Sequence, residues 1–377
     1  MKKPVICHLS DFSPEYPGTF IDSLLFLARY CRDRMQTDSF CAFPEKARGR
    51  RWLQALHDEG VSYGFVPRTR RAASCVRTLL RDYDPLVFHT HFFLYDLCPV
   101  FLKLTSFRKA KIVWHYHDLI ELTFPQRMKN FVKFQFIARY FGDRCIAVGD
   151  GVYANLIKGN FPREKLVLIR NGINTHRFLP NKSIRESVRE SLGVSEGQTV
   201  FLLLGWEPLR KGVDIFIRAA AEAIQHNPNS LFLIVGRAQT RDFISNLFES
   251  SQFGTSLRMI DPQEDFSSLL NGTDVLVSAS RREAFSYGIA EAMAAGKLIL
   301  CSDIPGMREI YGNSQGVWFF PTEDSNTLSK LMRAAQENSP TKRNSLGEVN
   351  SRFVAEQYSL ERWAQKVNEI YRSLLSA

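Results

Sequence analysis

Two α/β domains of similar size, each a parallel sheet covered by helices, are what the sequence predicts. Three observations carry that expectation. The chain has 377 residues, too many for one ordinary domain and enough for two with sizeable cores. Short apolar runs alternate with longer helical patterns from end to end, the signature of strands joined by crossover helices. Hydrophobic residues make up 45% and charged residues 23%, a globular composition that argues against disorder.

In the first half, strands are expected at 5–8, 40–43, 63–66, 86–89, 112–115 and 145–148, with helices at 20–32, 72–81 and 126–140. The alternation restarts with strands at 200–204, 231–235, 257–260, 275–278, 298–301 and 317–320. Gly205, Gly236 and Ser280 follow strand ends directly, where α/β folds keep their ligand loops. The boundary falls near 170–180, where Asn171-Gly172 marks a turn. Residues Leu360–Leu375 read as a closing helix that buries Trp363, Val367, Ile370, Tyr371 and Leu374 on one stripe.

The formal charge of +10 lies entirely in the first half, where residues 1–175 carry 27 Lys and Arg against 16 Asp and Glu. A one-sided field suits an anionic partner or a solvated basic face. No helix-turn-helix, RNA-binding or zinc-finger pattern accompanies it, which argues against nucleic acid. The seven cysteines form no C-x-x-C pair and several lie in apolar runs, as reduced thiols of a cytosolic protein would. No run reaches the ~18 apolar residues of a membrane span, and the N-terminus is too short in apolar length for a signal peptide.

The strongest motif is Arg281-Arg282-Glu283-Ala284-Phe285-Ser286-Tyr287-Gly288-Ile289-Ala290-Glu291-Ala292-Met293-Ala294-Ala295-Gly296, which follows a strand and opens a small-residue helix. Ser286, Tyr287 and Gly288 would offer N–H groups to a phosphate at the helix start. Glu283 and Glu291 bracket that point, and each can accept hydrogen bonds from hydroxyl-rich groups. The stretch resembles the retaining glycosyltransferases of GT-B fold, glycosyltransferase family 4. Their hallmark is two Glu separated by seven residues and a following Glu-Ala-Met-Ala-x-Gly. The resemblance implies two Rossmann-like domains facing across a cleft, with the last helix crossing back to the first. The domains would be 1–174 plus 359–377 for the acceptor, and 175–358 for the donor.

The same resemblance assigns roles. Glu291 would hold the nucleotide ribose, and Glu283 the donor sugar and the charge developing at its anomeric carbon. In Gly205-Trp206-Glu207-Pro208-Leu209-Arg210-Lys211-Gly212, Lys211 would neutralise the diphosphate leaving group. Trp206 stands where the family carries Arg, and the adjacent Arg210 could reach the phosphate in its stead. Asn171-Gly172-Ile173-Asn174 looks like the family's interdomain turn and is assigned no chemistry. In the first domain, Pro17-Gly18-Thr19-Phe20 keeps one glycine of the family's Gly-Gly loop, so Gly18 would bring backbone N–H groups to the diphosphate.

Four histidines cluster at strand ends: His89, His91, His115 and His117, the last followed by Asp118. The resemblance nominates His117 to face the donor sugar. H-x-H pairs also bind metals, but no carboxylate or Cys completes a set in the sequence, and the family works without one. No cofactor beyond the nucleotide-sugar is expected. The segment 126–140 mixes Arg127, Lys129, Lys133 and Arg139 with Met128, Phe131, Phe134, Phe136 and Ile137. A helix turning its Phe stripe inward is favoured over one lying on an anionic membrane.

The reading is therefore a cytoplasmic, metal-independent enzyme that moves a sugar from a nucleoside diphosphate, most commonly UDP in this family, to an acceptor hydroxyl. The acceptor stays open among a lipid-linked saccharide, a cell-wall polymer, a small metabolite and a protein, with the basic first half favouring an anionic or membrane-borne one. The rivals are a nucleotide-sugar epimerase of the same architecture, and a non-catalytic nucleotide-sugar-binding relative, which Trp206 keeps open.

Overall fold

The computed structural model describes residues 2–120, 123–195, 197–248 and 254–376, the side chains of Phe124 and Arg127 lying outside what is described. The chain forms two compact units, one of residues 1–172 with 360–377 and one of residues 173–359. The sequence reading drew these boundaries at 174/175 and 358/359.

The first unit is a seven-stranded sheet of β1 (Lys3–Ser10), β2 (Asp38–Pro44), β3 (Ser62–Val66), β4 (Tyr83–His91), β5 (Lys111–Tyr116), β6 (Arg144–Ala147) and β7 (Leu166–Leu168). Its order is β3-β2-β1-β4-β5-β6-β7, and every pairing is parallel. The second is a six-stranded parallel sheet of β8 (Thr199–Leu204), β9 (Ser230–Val235), β10 (Leu257–Ile260), β11 (Val275–Ser278), β12 (Leu298–Ser302) and β13 (Val317–Phe320), in the order β10-β9-β8-β11-β12-β13. Strand order reverses between β1 and β4, and again between β8 and β11. These are the two switch points at which doubly wound sheets hold ligands.

The strands are legible as apolar runs because both faces are covered. In β1, Val5, Cys7 and Leu9 join the core that includes Ala73, Val76 and Leu102 on one side. The alternate residue Ile6 joins Leu27, Cys31, Val87 and Val113 on the other, beneath the closing helix Leu360–Leu375. That helix places Trp363, Val367, Tyr371 and Leu374 in this layer, so it belongs to the first unit. The second unit has one large core around the stacked rings of Phe201 and Phe232.

Three features differ from expectation. Strand β7 is three residues long, too short to carry a period of its own. The segment 126–140 divides into an α-helix Phe124–Val132 and a π-helical turn Lys133–Ala138. Its Phe stripe does not face inward. Phe134 is buried, but Phe131 and Phe136 are 43% and 56% exposed, and Met128, Val132 and Tyr140 are exposed with them. The inward member is instead the cation Lys133, ion-paired to the buried Asp96. Asp96 also accepts from Thr90 Oγ1 at 2.9 Å and from Tyr116 OH at 2.8 Å, which satisfies the buried charge.

All seven cysteines are free thiols, six of them buried. Among the described residues, no helix is long and apolar enough to cross a membrane.

Candidate active site

Two loops meet at the switch point of the second sheet. The first runs from the end of β8 through Gly205 to Gly212, where the helix Val213–His226 begins. The second runs from the end of β11 to Ser286, which precedes the helix Tyr287–Ala294. Gly212 makes their close approach feasible. It adopts φ +68°, and a Cβ there would lie 2.0 Å from the carbonyl oxygen of Ala279. Only glycine meets both demands. The Arg281 N–H donates to the Arg210 carbonyl at 2.8 Å, and the Arg281 guanidinium forms a fork with the Asp214 carboxylate at 2.8 and 2.9 Å.

This junction brings Lys211 to Glu283. The ammonium pairs with Glu283 Oε1, which also accepts from Ser280 Oγ at 2.8 Å, and Arg210 lies 3.4 Å from Oε2. Glu283 is buried. Burial opposes its ionisation, but the charges of Lys211 and Arg210 and the bonds from Lys211 and Ser280 outweigh it and hold the carboxyl below its usual value. The site therefore carries a fixed carboxylate with a cation against it. Arg210 is engaged elsewhere too, holding Glu207 at 2.7 and 2.8 Å and the Arg282 carbonyl at 3.1 Å.

The remaining residues of the second unit fall at the same place with different occupations. Glu291 lies on the helix Tyr287–Ala294 and is buried. Ser286 is the residue before that helix, and its carbonyl accepts from Tyr311 OH at 2.9 Å. Tyr287 opens the helix. Gly205 does not present its backbone to a ligand: its N–H donates to the Val235 carbonyl at 2.8 Å, and its carbonyl accepts from Thr240 Oγ1 at 2.8 Å. A Cβ at Gly205 would lie 2.8 Å from Val213, so glycine is there for packing. Trp206, 38% exposed, turns its ring toward Lys211, whose Nζ lies 5.3 Å from the ring centre.

In the first unit, Gly18 opens the helix Gly18–Met35 with φ +52° and open space where a side chain would stand. His117 follows β5. The structure adds His8 to the four histidines read from the sequence, because β1 lies between β2 and β4 and pairs His8 with His89. His8 Nδ1 lies 3.2 Å from His91 Nε2, and His91 Nδ1 lies 3.1 Å from His117 Nε2. His89 Nε2 lies 3.2 Å from His115 Nδ1, and His89 Nδ1 meets Tyr371 OH at 2.5 Å. Burial lowers His8 and His117 to about 3. His89, His91 and His115 are also pushed down, by burial first and then by one another. All five imidazoles are neutral at pH 7. His8 was missed because a single His inside an apolar strand carries no spacing signal. Only the strand order reveals its neighbours.

The sequence matches the family model for glycosyl transferases group 1 over residues 184–353 and that for glycosyltransferase family 4 over residues 23–177. An uncharacterized glycosyltransferase of Methanocaldococcus jannaschii is 30% identical over 169 residues, 43% of this chain and 43% of its own length. The lipopolysaccharide glucosyltransferase WaaG of Escherichia coli is 28% identical over 196 residues, 51% of this chain and 50% of its own. The chain thus spans half or less of the length of these relatives. In fold the likeness is complete. The crystal structure of HepE from Anabaena in complex with UDP superposes with a TM-score of 0.81 at 18% identity, covering 98% of this chain and 100% of that one. The WaaG crystal structure gives 0.67 at 16%, covering 97% and 99%. Two doubly wound parallel sheets, the loop junction at the second switch point and both family models agree: the chain is a GT-B protein and belongs to glycosyltransferase family 4.

Proposed function

We propose that this chain transfers a sugar from a nucleoside-diphosphate sugar to an acceptor hydroxyl, with retention at the anomeric carbon, in the synthesis of a glycoconjugate. The observation that carries the reading is the pairing of Lys211 with the buried Glu283 at the β8/β11 switch point, with Glu291 on the helix that follows. The ammonium of Lys211 is prepositioned by Glu283, so it stabilises charge on the departing diphosphate without reorganising. Glu283, fixed as a carboxylate, accepts hydrogen bonds from sugar hydroxyls and faces the positive charge that develops as the glycosidic bond breaks. Glu291 accepts from the ribose, and the N–H groups of Ser286 and Tyr287 receive phosphate oxygens. Lys211 and these N–H groups supply the charge stabilisation that a metal supplies elsewhere. UDP is the favoured nucleotide, supported by the structural neighbour HepE, which was crystallised with UDP and with UDP-glucose.

In the first unit, Gly18 and the neutral His117 are the groups we assign to ligand contact. His117 accepts or donates one hydrogen bond to a hydroxyl and carries no charge that would repel a developing cation. A membrane-borne acceptor is supported by the outward Met128, Phe131, Val132 and Phe136, interleaved with Lys129 and Arg139, and by Phe101 and Leu104 on the helix Cys98–Thr105. Such a surface suits an anionic bilayer.

The test is a thermal-shift panel of UDP, GDP, ADP and CMP on the wild type and on Glu291→Ala. A hundredfold excess over the dissociation constant stabilises the folded state by ~2.7 kcal/mol. One diphosphate is expected to raise the wild-type midpoint and to lose its effect on the variant. No shift with any nucleotide at millimolar concentration would overturn the donor site.

A further inference from the structure

Five of the eight histidines of the chain meet at the C-terminal ends of β1, β4 and β5. Strand register puts His8 beside His89 and His91 beside His115, and the two-residue repeat keeps His89 with His91, and His115 with His117, on one face. Ring nitrogens of His91, His115 and His117 lie within 4.8 Å of one another. We propose that these three side chains form a binding site for a divalent transition-metal cation of the zinc class, a site separate from nucleotide binding.

The hydrogen bonds argue for this triad. His115 Nδ1 is held by His89, which is held in turn by Tyr371, and His91 Nε2 is held by His8. That leaves His115 Nε2, which is buried and has no hydrogen-bond partner, together with His91 Nδ1 and His117 Nε2, which have only each other as partners at 3.1 Å and would give up that bond to a cation. Imidazole ligands are ordinarily fixed in this way, through a bond at the ring nitrogen that does not touch the metal. A buried nitrogen without a partner is unfavourable, and a cation would supply the missing partner. Zinc–nitrogen bonds of about 2.0–2.1 Å in tetrahedral geometry set ligand nitrogens roughly 3.3 Å apart, close to the 3.1 Å between His91 and His117.

A second set, His8, His89 and His91, is equally compact, but all three are buried, whereas His117 is partly exposed. The outer triad is therefore the one with a member open to solvent. The rings of Phe20 and Phe92, 5.6 and 4.8 Å from His117, form an apolar rim. Because His117 is also assigned to donor contact, an occupied metal site would compete with the sugar hydroxyl and oppose transfer.

The experiment uses untagged, chelator-treated full-length protein titrated with Co²⁺ by visible absorption and with Zn²⁺ by calorimetry. One equivalent should bind, with the intense absorption of a tetrahedral cobalt site. His117→Ala and His115→Phe should each weaken binding at least ~10-fold, the low end of what disturbing even an outer-shell partner does. His8→Asn should keep a one-to-one site, and so should the triple control His57→Ala, His176→Ala, His226→Ala. Circular dichroism shows whether each variant is folded; should His115→Phe unfold, the partly exposed His117→Ala decides. No binding by the wild type, binding that survives His117→Ala, or binding lost in the triple control overturns the site. Because the readout is metal alone, its failure leaves the nucleotide result standing, and the reverse holds too.

Discussion

Lys211 and Glu283, separated by 72 positions in the chain, form an ion pair in which Glu283 is buried and Lys211 half-buried, and Ser280 bonds the same carboxylate oxygen. Such a pair is a demanding arrangement, since removing one member strands the other charge at a cost of about 3–5 kcal/mol. Lys211→Met and Glu283→Gln should each lower the urea midpoint of the second unit and abolish turnover. The double variant should lose less than the two singles combined, with a coupling of about 1–3 kcal/mol. Strict additivity in that cycle would show that the pair is not coupled.

Lys297 supplies a pH signature. It is buried beside Arg185, Asp274 and Arg189 and donates to the Asn271 carbonyl at 3.3 Å. Burial, then repulsion from Arg185, lowers its pKa from 10.5 to about 7. Between these values the unfolded chain holds a proton that the folded chain does not, so stability rises with pH across that interval; below it the slope from this group is zero and its destabilisation is fully present. The slope is at most ~1.4 kcal/mol per pH unit. Lys297→Met should be more stable than wild type at pH 7, with a gap that narrows toward pH 10. A gap that widens with pH would contradict the assignment.

Two glycines with positive φ should lose very different amounts of stability on substitution. Gly18→Ala places a methyl in open space at φ +52°, and its penalty is conformational, about 1–2 kcal/mol. Gly212→Ala drives a methyl into the Ala279 carbonyl and must pry the two site loops apart. It should show a much larger fall in melting temperature and lose the nucleotide-induced shift. Equal falls for the two variants would mean that the loop junction is not the constraint.

Trp206 lies over Lys211 where the family has Arg. A cation–π contact at an exposed site is worth about 0.5–1 kcal/mol. Trp206→Ala should therefore raise KM for the donor about 2–5-fold with kcat little changed. Trp206→Arg is the informative partner. A loss of activity makes the indole part of a working site, whereas a large gain in turnover would favour an ancestry of impaired catalysis.

The sheets were readable because strands buried on both faces spell uninterrupted apolar runs, and the strand-end loops because Gly205, Gly236 and Ser280 follow those runs directly. What those residues do once there was less readable. Glycine at 205 signals a loop whether it feeds a ligand or, as found, spends its N–H on Val235 and its missing side chain on Val213. The pairing of Lys211 with Glu283 and of Arg281 with Asp214 depends on β8 lying beside β11, a property of topology rather than of spacing. His8 escaped notice for the same reason. In 126–140, periodic Phe residues mark an apolar face without saying what covers it, and burial of Lys133 beside Asp96 reverses the usual preference.

The closing helix has a consequence for biosynthesis. The Ile173 N–H donates to the Tyr358 carbonyl at 2.8 Å, and Ile173 bridges Ser359. The whole of 173–359 therefore leaves the first unit and returns at one point, as an insertion with adjoining ends. On the ribosome, residues 1–172 emerge first, yet they lack Trp363, Val367 and Tyr371, which seal one side of their sheet. The later-made unit has all of its sequence while the earlier one still waits with an apolar face uncovered. Nascent-chain maturation thus runs in the reverse of synthesis order, and a stop codon near the end would harm the beginning of the protein.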